Sequence, residues 1–127
     1  MVEGKCACGA VAFEVDTVRP EVTFCHCRQC RQFSGHFWSA THAPFSKVTF
    51  TSDKGLTWYN SSDWAERGFC NICGSSLFYR MKGKDDLGIA AGCITDASVL
   101  KPGKHIFVAD KADYYEIADD APQIAKY

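Results

Sequence analysis

No apolar run in this 127-residue chain approaches the about 20 residues that a membrane-spanning helix needs. Charge of one sign is lacking too, since 14 lysines and arginines stand against 15 aspartates and glutamates for a net charge of -1. A near-neutral chain has no electrostatic footprint for nucleic acid, and thiolates loaded with divalent metal would carry the balance further negative. The opening Met1-Val2-Glu3-Gly4-Lys5 has no basic region followed by an apolar one, the pattern of a secretory signal, so a cytoplasmic protein without membrane contact is expected. Linkers, low-complexity tracts, internal repeats and a sustained amphipathic helical stripe are all missing, and one domain over residues 1–127 is expected. No Ser-His-Asp set, phosphate loop or dinucleotide fingerprint appears, which leaves hydrolase and kinase chemistry without support.

Cysteine is abundant instead. Seven of the eight cysteines fall into three short clusters: Cys6-Ala7-Cys8-Gly9, Cys25-His26-Cys27-Arg28-Gln29-Cys30 and Cys70-Asn71-Ile72-Cys73-Gly74. Such spacing suits soft metal ligands better than a disulfide framework, which a reducing compartment would not maintain. The first and third clusters each supply two sulfurs and end in Cys-Gly, where glycine permits a sharp turn behind a metal. Cys6, Cys8, Cys70 and Cys73 are therefore expected to form one closed, structural zinc site, against the reading of buried free cysteines, and to tie the N-terminal region to the middle of the chain with a contribution to folding energy.

Cys25, Cys27 and Cys30 are one ligand short of a tetrahedral shell. Three readings stand: a second structural zinc completed by His26, His36, His42 or Cys93; a three-thiolate site with an open position; or a redox thiol pair in Cys27-Arg28-Gln29-Cys30. In an extended segment His26 would point away from its two cysteine neighbours. Arg28 and Arg31 are candidates for anchoring a carboxylate, against plain surface charge. Lys5, Arg67 and Arg80 lie near the four-cysteine set in sequence and carry no assigned role. Cys93, isolated from the clusters, reads as a buried small hydrophobe, with metal ligation as the alternative. Phe33, Phe37, Trp38, Trp58 and Trp64 are core residues first and a pocket floor second, and His105 reads as a strand-start residue.

Short β-branched and aromatic segments, at Val11–Val15, Val22–Phe24, Phe37–Ala40, Val48–Phe50, Leu56–Tyr59, Arg67–Phe69, Ser76–Tyr79, Leu87–Ala91, His105–Val108 and Asp113–Tyr115, alternate with turn residues. They predict a mainly β, antiparallel domain. Ala43-Pro44, Asp53-Lys54-Gly55, Lys82 to Asp86 and Lys101-Pro102-Gly103 read as turns, with a turn of helix after Cys27 and another over Asp96 to Leu100.

In this order the clusters resemble the glutathione-dependent formaldehyde-activating enzyme family, which is similar to centromere protein V. Gly4-Lys5-Cys6-Ala7-Cys8-Gly9-Ala10-Val11, Cys25-His26-Cys27-Arg28-Gln29-Cys30-Arg31 and Phe69-Cys70-Asn71-Ile72-Cys73-Gly74-Ser75-Ser76-Leu77 carry the likeness. Gly92-Cys93-Ile94-Thr95-Asp96 and Leu100-Lys101-Pro102-Gly103-Lys104-His105-Ile106 extend it. The resemblance implies an Mss4-like antiparallel β fold, a structural zinc on Cys6, Cys8, Cys70 and Cys73, and a more labile, partly occupied zinc on Cys25, Cys27 and Cys30. It also implies a carbon–sulfur lyase that condenses glutathione, or a related small thiol, with formaldehyde or another small aldehyde. Ile94-Thr95-Asp96 departs from the family's Leu-Asp-Asp, with Cys93 where a small residue is usual. The rival class is a non-catalytic zinc module for thiol sensing or protein interaction. The oligomeric state and true substrate have no signature in the sequence.

Overall fold

Alternation does most of the work. Along Val11-Ala12-Phe13-Glu14-Val15 every second residue is buried, the signature of a strand with one face on a core. The computed structural model, which describes all residues 1–127, places this segment as β2 (Val11–Val15) between β1 (Val2–Lys5) and β5 (Thr49–Asp53) in a small antiparallel sheet. The remaining strands are β3 (Glu21–Cys25), β4 (Trp38–Pro44), β6 (Leu56–Asn60), β7 (Ala65–Cys70), β8 (Ser76–Met81), β9 (Asp86–Ala90) and β10 (Lys101–Ile106). They form a second sheet in the order β10-β3-β4-β9-β8-β7-β6, antiparallel except for the parallel pair β10 and β3. The fold is mainly β, as expected. No helix is long and apolar enough to cross a membrane.

The two faces of the large sheet have different work. One packs on the small sheet: Phe13 and Phe50 meet Phe78 edge-on at 5.4 and 5.8 Å, above Ala43, Leu87 and Ile89. The other carries Trp38, Ala40, Ala90 and Tyr79 toward Cys30 of α1 (Arg28–Ser34), the only α-helix. Successive side chains along a strand point to opposite faces, so neighbouring residues divide between core and second face. Both clusters of cysteines lie at strand ends, where backbone turns free the thiols from the ladder.

Several elements differ from the sequence reading, among them Ala43-Pro44, read as a turn, which instead pairs with Leu87 and Asp86 at the end of β4. Val2–Lys5 is a strand because it pairs in register with β2, Val2 opposite Val15, and not through any propensity of its own. Lys101-Pro102-Gly103 belongs to β10 rather than a turn; β10 is an edge strand, where a proline's missing N–H costs no ladder bond, and the register shifts between Pro102 and Lys104. Asp113–Tyr115 is not a strand: Tyr114 and Tyr115 are held through their hydroxyls, which bond His36 and His26. Over Ala97–Val99 the expected helix is a single 3-10 turn, capped by Asp96.

Candidate functional site

Two turns of opposite chain regions build the first cluster. In Cys6-Ala7-Cys8-Gly9 and Cys70-Asn71-Ile72-Cys73-Gly74 the glycines adopt φ of 82° and 79°, the left-handed region that side chains avoid, and each folds its N–H back to the carbonyl of the first cysteine of its pair, Cys6 and Cys70. Cys6 and Cys8 sulfurs stand 3.7 Å apart, and Cys8 and Cys70 sulfurs 3.8 Å. Thiolates at about 2.3 Å from a zinc ion sit at tetrahedral corners about 3.8 Å apart. All four sulfurs, including Cys73, lie within 4.8 Å of one another. The donor set fits a tetrahedral thiophilic ion in number, chemistry and spacing. The Val11 N–H donates to Cys6 Sγ at 3.3 Å, and Ser75 lies 3.2 Å from Cys73 Sγ. Hydrogen bonds from the Ser75 side chain and backbone pull the Cys73 thiol down to about 5.

Cys25, Cys27 and Cys30 form the second cluster, with sulfurs within 4.8 Å of one another and no histidine, fourth cysteine or carboxylate among them. Cys25 ends β3, and Cys27 caps α1, its sulfur accepting the Cys30 N–H at 3.3 Å. Hydrogen bonds from Cys25 and Cys30 push Cys27 down to about 2, whereas its bond to Cys27 drives Cys25 far up. For Cys30 the bond to Cys25 lowers the thiol, but Cys27 and burial outweigh it and the net shift is upward. This donor set also fits a thiophilic ion, with one corner of a tetrahedron left to something other than these three sulfurs.

That cluster opens onto a cavity of about 330 Å³ on the second face of the large sheet. Residues at every second position supply it: Thr23 and Cys25 from β3; Trp38, Ala40 and His42 from β4. Arg67 of β7 is the buried cation in its wall. Its side chain is 3% exposed, lies over the rings of Phe33 and Tyr79 at 5.3 and 4.9 Å, bonds Gln29 Oε1 through Nε and Nη2, and directs Nη2 at Cys30 Sγ at 3.5 Å. Arg67 therefore serves the three-cysteine cluster, although in sequence it is closer to Cys70. Strand pairing, invisible in the linear order, carries it there.

The alternative fourth ligands all lie elsewhere. His26 points away from its neighbours, as alternation requires, into a buried hydrogen-bonded chain. His36 bonds Tyr114, and His42, in the cavity wall, meets Asp86 Oδ2 at 2.8 Å, while burial lowers its pKa. Cys93 packs between the two apolar clusters, and burial raises its thiol to about 11. Neither Arg28 nor Arg31 lines the cavity. Arg28 is exposed at the start of α1, and Arg31 donates to the carbonyls of His26 and Asp110. His105, read as a strand-start residue, is 2% exposed and bonds both His26 and Asp119. Only the pairing of distant segments reveals that role.

Residues 1–110 match the family described as glutathione-dependent formaldehyde-activating enzyme. The chain is 30% identical over 122 residues to an uncharacterised lyase of Schizosaccharomyces pombe, covering 92% of this chain and 85% of that one. A crystal structure of a Rhodobacter sphaeroides protein superposes with a TM-score of 0.61 at 25% identity, over 74% of this chain and 88% of that one.

Proposed function

This chain belongs to the glutathione-dependent formaldehyde-activating enzyme family, and from that premise we propose that it is a zinc-dependent carbon–sulfur lyase joining glutathione, or a related thiol, to formaldehyde or another small aldehyde. The observation that carries the reading is the incomplete thiolate set of Cys25, Cys27 and Cys30 facing a partly open cavity. Cys6, Cys8, Cys70 and Cys73 would hold a structural zinc, and the three-cysteine set a second, more exchangeable one. A zinc ion held by these three cysteines would accept an incoming thiol as a ligand and lower its pKa.

The protein's own groups supply the rest. Largely apolar walls limit water around the reacting atoms, and the cavity holds thiol and carbonyl together, which replaces a bimolecular encounter. Arg67 provides a fixed positive charge beside Cys30 that favours thiolate in the three-cysteine set. His42 presents Nδ1–H to Asp86, which leaves Nε2 as the acceptor; it takes the thiol proton and returns it to the carbonyl oxygen. A sulfur–carbon bond forms, the carbon–oxygen π bond opens, and the proton moves from sulfur to oxygen. Nothing is oxidised. Arg28, exposed beside the cluster, is available to a glutathione carboxylate. All eight cysteines are free thiols, which suits the reducing cytoplasm where we place the enzyme.

Cobalt substitution tests the reading. Thiolate-to-cobalt charge-transfer bands should change when glutathione is added, S-methylglutathione should leave them unchanged, and glutathione with formaldehyde should turn over. An unchanged cobalt spectrum with saturating glutathione would leave a non-catalytic zinc module as the better account.

A further inference from the structure

The cavity is too large and too apolar for the family's namesake aldehyde. Formaldehyde has two heavy atoms, whereas about 330 Å³ lies in the range of pockets that enclose drug-sized ligands. Glutathione does not explain the space either. It carries two carboxylates and an ammonium group, and burying such charges without partners is costly. Arg67 is the one fully buried charged side chain in the wall; its Nε and Nη2 are committed to Gln29 and Cys30, which leaves Nη1 alone without a partner, against two carboxylates and an ammonium. Beyond the three cysteines most of the wall is apolar or aromatic, from Trp38, Ala40, Trp64, Tyr79, Ile106 and Phe107, and its other polar members, Thr23, Gln29, His42 and Ser62, are uncharged or a histidine.

Two of these residues are placed at a cost. Trp64 leaves 62% of its surface exposed, an unusual position for a large aromatic ring. Phe107 is the only non-glycine residue with positive φ, at 54°, a conformation that a bulky side chain adopts only when its surroundings impose it. Its N–H donates to Lys126 O at 2.6 Å and its ring meets Tyr127 at 5.8 Å, so the C-terminal segment holds the residue against the cavity. Strain of this kind gathers at ligand sites.

We infer that the cavity takes the hydrocarbon body of the aldehyde, and that the second reactant is an aromatic or branched aliphatic aldehyde of about six to ten heavy atoms, a size consistent with the small end of ligand pockets. The inference rests on the thiol–aldehyde reading above. The thiol's charged ends stay outside, and its sulfur adds to the carbonyl carbon with the thiol proton ending on oxygen, as with formaldehyde. Hydrocarbon packed in a fitted pocket discriminates by about 10-fold or more per carbon or two.

Two measurements test it. In the first, tryptophan fluorescence of the zinc-loaded protein is titrated with benzyl alcohol, a probe that neither reacts nor needs a thiol. Saturable binding is expected, weakened about tenfold by Trp64→Ala, an exposed position, and by Ala40→Leu, which fills the cavity. Should Ala40→Leu fail to fold, Trp64→Ala carries the test. In the second, glutathione turnover is compared with benzaldehyde, 3-methylbutanal and formaldehyde, each corrected for its hydrated fraction. The larger aldehydes should exceed formaldehyde in kcat/KM by at least about tenfold, and Trp64→Ala should shrink that ratio. Absence of saturable benzyl alcohol binding, or a preference for formaldehyde, would overturn the inference. Benzyl alcohol bound at the cavity beside an unmoved cobalt spectrum would uphold the cavity's preference and remove the thiol chemistry instead, so the two failures are distinct.

Discussion

His26 and His105, 79 positions apart, meet with Nε2 of one 2.7 Å from Nδ1 of the other. The chain continues at both ends: Tyr115 O–H lies 2.6 Å from His26 Nδ1, and Asp119 Oδ1 lies 3.0 Å from His105 Nε2. The carboxylate can only accept, so His105 Nε2–H donates to Asp119, His26 Nε2–H donates to His105, and Tyr115 donates to His26. In this arrangement every bond has one donor and one acceptor. His105→Ala would leave the His26 N–H buried without a partner and should cost about 1–3 kcal/mol in urea unfolding.

The same chain predicts a pH response. Burial, reinforced by His105, lowers the His26 pKa from 6.5 to about 4. The unfolded ring takes up a proton near 6.5, the folded one only near 4, so the unfolded state binds more protons between those values. Stability from this group is complete above the upper value and falls as pH drops toward the lower one. Unfolding free energy should decline more steeply with acid in the wild type than in His26→Asn, which starts lower but has no ring to titrate. Parallel pH profiles would show that the ring is not the titrating group.

The two cysteine clusters should fail differently. Replacing Cys6, Cys8, Cys70 or Cys73 with Ser removes folding-linked binding energy of about 10 kcal/mol or more and should leave insoluble protein. Cys27→Ser should remain folded with about half the bound zinc, measured by metal analysis beside thermal scans. Equal melting behaviour in both sets would contradict the division.

Gly55 tests the first cluster from outside its ligands. A Cβ there would lie 2.6 Å from Cys70 Sγ. Gly55→Ala should therefore mimic loss of Cys70, with released zinc and aggregation. Gly92→Ala, where a Cβ meets nothing within 4 Å, should behave as wild type in the same assays.

Arg67→Met keeps a side chain of similar length between Phe33 and Tyr79 but removes the charge beside Cys30. Zinc affinity of the three-cysteine cluster should fall about 10–100-fold in chelator competition, as for other groups that orient and stabilise metal ligands. Occupancy of the four-cysteine cluster should stay unchanged. Cys93→Ala, by contrast, should cost no more than about 1–2 kcal/mol and release no zinc, since Cys93 is packing.

The cysteine arithmetic was legible because metal ligands come in local pairs whose spacing is set by the turn between them. Period-two alternation likewise announced β2 and placed His26 away from Cys25 and Cys27. What stayed hidden depends on strand pairing. Arg67 reaches the three-cysteine cluster because β7 and α1 are neighbours in space, and His105 reaches His26 because β10 lies parallel to β3. Neither contact leaves a trace in local composition. Arg28 and Arg31 drew notice for the opposite reason: they adjoin the ligands in sequence, and helical geometry turns them from the cavity.

The order of the clusters along the chain has a consequence for assembly. Cys25, Cys27 and Cys30 lie wholly inside the segment whose ends are drawn together where Cys8 and Cys70 sulfurs stand 3.8 Å apart. The clusters are nested like brackets. Closing the outer pair shortens the search that brings β3, α1, β4 and β7 together, whereas closing the inner one brings together only six consecutive positions, 25–30, and constrains little else. Metal uptake should then be hierarchical: the outer bracket closes first and creates the inner site, and depletion runs in reverse, so a cell short of zinc would idle the chemistry before losing the protein.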